Sequence, residues 1–213
     1  MIKFLMVVPL ILLLSGCAGF IRSDIAVFHD LPPDFAGTTY ASIPFKEQGG
    51  SLEHKTYDQL VKQELNAKGF KEEPIDKAEV VVFISYGIDT GREVVSSYPI
   101  FGQTGVSSIY TTGTVQSYGS YGTYSGTTTY TPTYGIVGAV PMSQTQYTRF
   151  LKIEILDKKA LVQQNIKKIY EAKVLSRGSS VQLSKVMPSM IKALFEDFPG
   201  KSGSTRSSTR SLK

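Results

Sequence analysis

Ala78-Glu79-Val80-Val81-Val82-Phe83-Ile84-Ser85-Tyr86-Gly87-Ile88-Asp89 decides the fold of this chain. Successive side chains of a strand point to opposite faces, so Val80 to Ile84 would be apolar on both. A strand of that kind needs cover on both sides, which predicts a central strand over Glu79 to Asp89. On its N-terminal side, Ser51 to Lys68 reads as a helix. Tyr57, Leu60, Val61 and Leu65 recur at helical spacing and charged residues fill the other face. Gly69 followed by Phe70 fits a C-terminal cap, since glycine adopts a left-handed conformation freely. Ile25 to Asp30 and Thr38 to Phe45 read as strands, separated by Pro32-Pro33, which cannot continue a ladder.

On the C-terminal side the scheme repeats. Leu151, Ile153 and Ile155 alternate with Lys152 and Glu154 in Tyr147 to Asp157, a strand with one wet face. Tyr170, Ala172 and Val174 alternate with Glu171 and Lys173 in Lys168 to Arg177. After Gly178-Ser179-Ser180, a final helix carries Leu183, Val186, Met187, Met190, Ile191, Leu194 and Phe195 on one stripe and stops at Pro199-Gly200. Pro188 falls inside that stripe and either kinks the helix or marks a later start. A stripe of this kind is core. The order strands, helix, strands, helix makes an α+β fold, with two amphipathic helices packed on a largely antiparallel sheet.

The chain has 213 residues, a net charge of +5, one Cys and no Trp. That length suits one domain with appendages and excludes a large multidomain enzyme. A single Cys excludes a disulfide framework and any thiolate metal site needing a second Cys. The mildly basic balance, unclustered, does not mark a nucleic-acid partner.

The N-terminus reads as a targeting segment. Lys3 supplies the positive start, and Phe4 to Leu14 is an unbroken apolar run, too short for a bilayer span of ~20 residues. Leu14-Ser15-Gly16-Cys17 follows and resembles the lipobox of bacterial lipoproteins. That resemblance implies cleavage between Gly16 and Cys17, with lipidation, palmitate included, of the new N-terminal Cys17. It makes 1–16 a signal peptide and 17–24 a lipid-anchored linker. Ala18, where an Asp would retain the protein in the inner membrane, points to the outer membrane, facing the periplasm. A single α+β domain is expected over 25–200, and a disordered basic tail over 201–213, where Lys201, Arg206 and Arg210 sit among Ser, Thr and Gly.

From Val94 to Thr148 there are 55 residues without one charged side chain, and seven of the twelve Tyr lie between Tyr98 and Tyr134. The centre of the stretch, about 102–140, reads as a long Tyr/Gly/Ser/Thr-rich, low-complexity insertion. It suits a long mobile hairpin connection, since long loops are functional or disordered. It also suits a binding surface, because Tyr joins an apolar face to a polar tip with little rotamer entropy to lose. A membrane-inserting hairpin is favoured by the lack of charge but opposed by Pro132, the many glycines and the lack of a sustained ten-residue alternation. Tyr118, Tyr121 and Tyr124 are the candidate partner-binding residues.

These pieces together resemble the domain-of-unknown-function 4136 family of bacterial envelope lipoproteins. The residues that carry the resemblance are the lipobox, Thr39-Tyr40-Ala41, Tyr57 through Leu65 with Gly69-Phe70, and Ala78 through Val82. The Tyr/Gly-rich stretch, Ile155-Leu156-Asp157, a second late strand and the closing helix complete it. The chain departs from the family pattern in having no Trp in that second late strand and in the length of its uncharged stretch. The family has no settled activity, so the resemblance implies fold and location only.

Chemistry finds little support. His29 and His54 are isolated and match no zinc spacing, so neither metal nor cofactor is expected. There is no G-x-S-x-G elbow, no S-x-x-K set and no phosphate loop. Asp89, Arg92 and Glu93 form the best acid/base cluster, where the central strand ends. Groups of this kind at a strand end read as a solvated salt-linked turn, worth little energetically, and no catalytic residue is assigned. The expectation is a non-enzymatic, lipid-anchored binding or assembly component, attached to the membrane by its lipid. Its partner would be an envelope protein or cell-wall polysaccharide, with the oligomeric state open. The alternatives are an outer-membrane-associated oligomer built through the uncharged hairpin, and a cell-wall hydrolase using Asp89 and Glu93.

Overall fold

Parity along the strands organises the molecule. In chain order the elements are β1 (Phe20–His29), β2 (Thr39–Ser42), α1 (Leu52–Ala67), β3 (Lys71–Glu72), β4 (Val80–Ile88), β5 (Arg92–Tyr118), β6 (Tyr121–Asp157), α2 (Lys158–Val162), β7 (Lys168–Gly178), α3 (Leu183–Phe195) and β8 (Ser204–Ser211). The structure, a computed structural model, describes residues 19–212. Gly16 and Cys17, and the signal segment 1–16, lie outside the described residues. The chain divides into two units: one runs up to Gly91 and resumes at Gln146, and the other is Arg92–Thr145.

In the first unit the strands lie in the order β3-β2-β4-β6-β7-β1-β8. The sheet is largely antiparallel, as expected, and mixed only at one side, where β2 is parallel to both β3 and β4. The reason is α1: parallel neighbours need a crossover connection, and this helix returns the chain to start β3 in the direction of β2. The class is α+β as expected, with a short third helix, α2, started by Asp157, whose carboxylate accepts from the Ala160 N–H at 3.1 Å.

Register lines the apolar residues up in rows. Ile84 faces Ile153, Ile153 faces Ala172 and Ala172 faces Val27, while Val82 faces Ile155 and Ile155 faces Tyr170. All of these side chains are buried with Tyr57, Val61 and Leu65 of α1 and Val186, Met187, Met190, Ile191 and Leu194 of α3, in one core. The central strand behaves as its sequence dictates. Val81 is buried on the opposite face, where Phe83 packs on Phe45 with ring centroids 5.3 Å apart. Pro188 neither breaks α3 nor delays its start.

The helix caps follow from single residues. Ser51 Oγ accepts the His54 N–H at 3.2 Å and begins α1. At the other end the Phe70 N–H donates to Leu65 O at 3.1 Å and the Gly69 N–H to Asn66 O at 3.0 Å, a Schellman pair with Gly69 at φ +95°. Buried Phe70 and Leu65 are the apolar contact that accompanies this motif.

Two expectations are corrected. The tail after Gly200 is not disordered: Ser204–Ser211 is β8, paired antiparallel with β1. Its arginines, four residues apart, share one face. The Arg206 guanidinium donates to Ala193 O and Leu194 O, the orphan carbonyls at the end of α3, and Arg210 pairs with Glu196 at 3.1 Å. A segment without apolar residues is therefore ordered by a ladder and a helix terminus. At the other end, β1 begins at Phe20, so Phe20 to Asp24 of the expected linker are strand, with Ile21 buried. The stretch at about 102–140, read from its composition as a low-complexity hairpin connection, is extended strand through its whole length, β5 and β6 joined at Gly119-Ser120. Thr, Tyr and Val favour such a backbone, and Gly119 at φ +63° supplies the first position of a two-residue hairpin turn.

Gly69→Ala should lower stability by about 1–2 kcal/mol, the cost of a left-handed non-glycine residue. A Cβ there would also lie 3.1 Å from the Ala36 Cβ. Urea unfolding checks this; an unchanged midpoint would remove the cap from the account.

Candidate functional site

The second unit is a two-stranded ribbon, and no residue from 92 to 145 is buried. With 27 residues, β5 would extend about 90 Å at the usual strand rise. Lacking a core, the ribbon is held by its ladder and by cross-strand hydroxyl pairs. Thr104 and Thr133 lie 3.2 Å apart through their Oγ1 atoms, Ser108 and Thr131 3.0 Å, and Thr111 and Thr128 3.0 Å. Most of the exposed large apolar side chains among the described residues lie here, Phe101, Ile109, Val115 and Ile136 among them.

Tyr118 and Tyr121 flank the turn, 68% and 80% exposed, at the tip of the hairpin. The Tyr118 hydroxyl donates to Gln116 Oε1 at 3.2 Å. Tyr124 differs. Its ring lies across Gly113 and Gly126, so that a Cβ on Gly113 would come within 2.5 Å of it. This side chain covers bare backbone, the way an aromatic stabilises a strand glycine. The three candidates thus share the tip, but one of them also supports the ribbon. The spacing Gly113, Tyr124, Gly126 is visible in the sequence only once the turn is placed.

β6 alternates only in part. Thr123, Ser125, Thr127, Thr129, Thr131 and Thr133 have one parity and Tyr124, Tyr130, Pro132, Tyr134 and Ile136 the other, but Thr128 falls among the aromatic positions and Tyr121 and Val137 among the hydroxyl positions.

The acid/base cluster is divided. Asp89 belongs to the first unit, where its carboxylate accepts from the Thr148 N–H at 2.8 Å and the Gly91 N–H at 3.0 Å. Arg92 and Glu93 belong to the second, and Glu93 accepts from the Ser143 hydroxyl. Sequence reasoning passed over Arg149, next to the uncharged stretch. It is 2% exposed on the helix-facing side, donating from Nη1 to Ser180 O and from Nη2 to Ser176 Oγ, both at 3.1 Å. Burial lowers its pKa and the Asp89 charge opposes that shift. Gly178 makes room for it: a Cβ there would lie 2.8 Å from Nη2. Such a buried cation ties strand ends together.

The histidines are structural. His29 Nε2 lies 2.9 Å from Gly200 O while its Nδ1 accepts from the Leu31 N–H, and His54 stacks on Tyr86 with centroids 6.2 Å apart. Among the described residues no group of His, Cys, Asp and Glu could hold a metal ion. A shallow depression of about 480 Å³ on the sheet face away from the helices has Phe150, Leu175, Lys152 and Lys173 in its lining.

On that wet face Lys152, Glu154, Lys168 and Glu171 form a ring of ion pairs. Lys152 lies 2.9 Å from Glu154 and 3.1 Å from Glu171, Lys168 lies 3.0 Å from Glu171, and Lys168 also meets Glu154. Partial burial raises the Glu154 carboxyl, but hydrogen bonds from Lys168 and Lys152 outweigh it and leave the group below its ordinary 4.5. Glu171 is lowered by the same two lysines, and Lys168 is pushed up to about 12 by the two carboxylates. Depressed carboxyls stabilise the fold above pH 4.5 and lose that contribution as pH falls through their folded values. The thermal midpoint should therefore drop more steeply below about pH 4.5 in the parent than in Glu154→Gln plus Glu171→Gln. At neutral pH the ring is worth about 1 kcal/mol or less, being partly solvated. Parallel pH profiles for both proteins would eliminate the ring as an acid-sensitive element.

Comparison with known proteins places the chain without assigning it an activity. No curated protein matches it. One solved structure that does is the crystal structure of a PDZ domain protein from Parabacteroides distasonis. It is 13% identical with a TM-score of 0.45, and the match covers 90% of this chain but only 39% of that one. The model of a family described as Domain of unknown function (DUF4136) matches residues 30–200, a span from the end of β1 to the end of the α3 region. With most of its length so matched, the chain belongs to the DUF4136 family.

Proposed function

We propose that this protein is a lipid-anchored component of the bacterial envelope that binds a partner, or assembles, through its ribbon and catalyses nothing. The observation that carries this reading is the ribbon itself: 94–145 is uncharged, and every side chain in it is exposed or half-exposed. A large apolar surface kept in water marks an interaction site. Tyr118 and Tyr121 supply rigid amphipathic contacts at the tip. The absence of catalysis is supported by the commitments of the acidic residues, since Asp89 is engaged by two backbone N–H groups and Glu93 by a serine hydroxyl.

Anchoring rests on Leu14-Ser15-Gly16-Cys17 behind the Phe4 to Leu14 run, with cleavage before Cys17 and Ala18 directing the protein to the outer membrane. Two or more acyl chains on Cys17 would hold it there stably, at ~0.8 kcal/mol per buried methylene. Among the described residues no helix is long and apolar enough to cross a membrane.

Cells fed an alkynyl palmitate should label the parent protein and not Cys17→Ser, which should also run as the uncleaved precursor. Equal labelling of both would reject the anchor. Replacing Tyr118, Tyr121 and Tyr124 by Ala should abolish capture of the cognate envelope partner in crosslinked intact cells. The thermal midpoint of the first unit should stay within a degree or two, since none of the three is in its core, and Tyr118→Ala plus Tyr121→Ala, which leaves Tyr124 over Gly113 and Gly126, should lose capture as well. A midpoint that collapses would make these tyrosines structural instead.

A further inference from the structure

Resting on the reading of the ribbon as the contact surface, we propose that its partner is a second copy of this chain. β5 of one protomer adds antiparallel to β6 of the next, and the ribbons close into a ring. Within one chain β5 pairs with β6 alone. The pairings of β6 with β4 and β7 begin only at Arg149 and Tyr147. Among the described residues, then, residues 94–118 and 121–145 each present one strand edge that no other strand covers.

Soluble proteins blunt such edges with lysines, charge, bulges or short length. The charged devices are missing here, because the first charged residue after Glu93 is Arg149. Pro99, Pro132 and Pro141 are the only residues in the ribbon that cannot donate to a ladder. A lone two-stranded ribbon is marginal in water, and a third strand is what stabilises one.

The occupant follows from length and charge. It must offer an extended segment of some 25 residues with no charge to strand against the ribbon's neutral face. In this chain only β5 and β6 satisfy that requirement, and Ser/Thr pairs such as Thr111 with Thr128 can repeat across a new edge. Direction selects the mode. Copies anchored on one membrane surface point their ribbons the same way, so β5 against β5 would be parallel, whereas β5 against β6 is antiparallel. Two different edges meeting head to tail make a heterologous contact, which closes into a ring when the rotation allows. Closure leaves no edge open.

The test uses the full-length lipoprotein extracted in mild detergent and measured by native mass spectrometry, beside two differently tagged copies co-expressed in one cell. The expected result is a discrete mass several times the 23.4 kDa chain, with each tag retrieving the other. Thr111→Lys plus Thr128→Lys should reduce this to a single chain. Deletion of 102–137, leaving the first unit intact, should do the same if the lysine variant misfolds. A strict monomer overturns the proposal, as does an unbounded ladder of masses or an assembly that survives the deletion. Should the parent be monomeric while the tyrosine variant still loses a different envelope partner, self-pairing falls and the proposed binding function stands.

Discussion

Everything in the first unit depends on burying one face of the sheet beneath α1 and α3. Val27, Ile84, Ile153 and Ala172 share a row because register and parity agree across four strands. A one-residue slip in any of them would turn its apolar set to water. The helices contribute Leu65, Met187 and Met190 to the same core, all fully buried. The peripheral devices protect this burial. Gly69 turns the chain out of α1, Arg149 fills the end of the core, and β8 closes the sheet edge beside β1.

The same strand chemistry works under the opposite constraint in the ribbon. β6 holds buried Leu151, Ile153 and Ile155 near one end and nothing buried between residues 121 and 145. Where a helix layer is present, alternation stabilises by removing alternate side chains from water. Where none is, only hydrogen bonds and hydroxyl pairs remain, each worth ~1 kcal/mol net. A two-stranded ribbon of that composition gains most by adding strands.

Parts of the candidate site were legible without coordinates. The absence of charge and the local crowding of tyrosines mark 94–148 as unusual, and the tip residues Tyr118 and Tyr121 follow from Tyr-Gly-Ser-Tyr once the turn is recognised. Tyr124 was harder, because its role over Gly113 depends on cross-strand placement. The ring of Lys152, Glu154, Lys168 and Glu171 was hidden for a similar reason. Two of its members come from β6 and two from β7, and only register brings them together. Asp89 and Glu93, four residues apart in sequence, are assigned to different units.

The sequence by itself determined the central strand, both long helices, the Gly69 cap of α1 and the α+β class, because periodicity and capping are local properties of neighbouring residues. Tertiary structure alone decided the parallel placement of β2, the order of seven strands and the fate of the C-terminal tail. Ser204–Ser211 has no apolar residue to declare it a strand. It becomes one because β1 offers an edge and the last carbonyls of α3 need donors, which Arg206 supplies. The edge of β1 lies most of the chain away from β8, and no window of local sequence contains both strands.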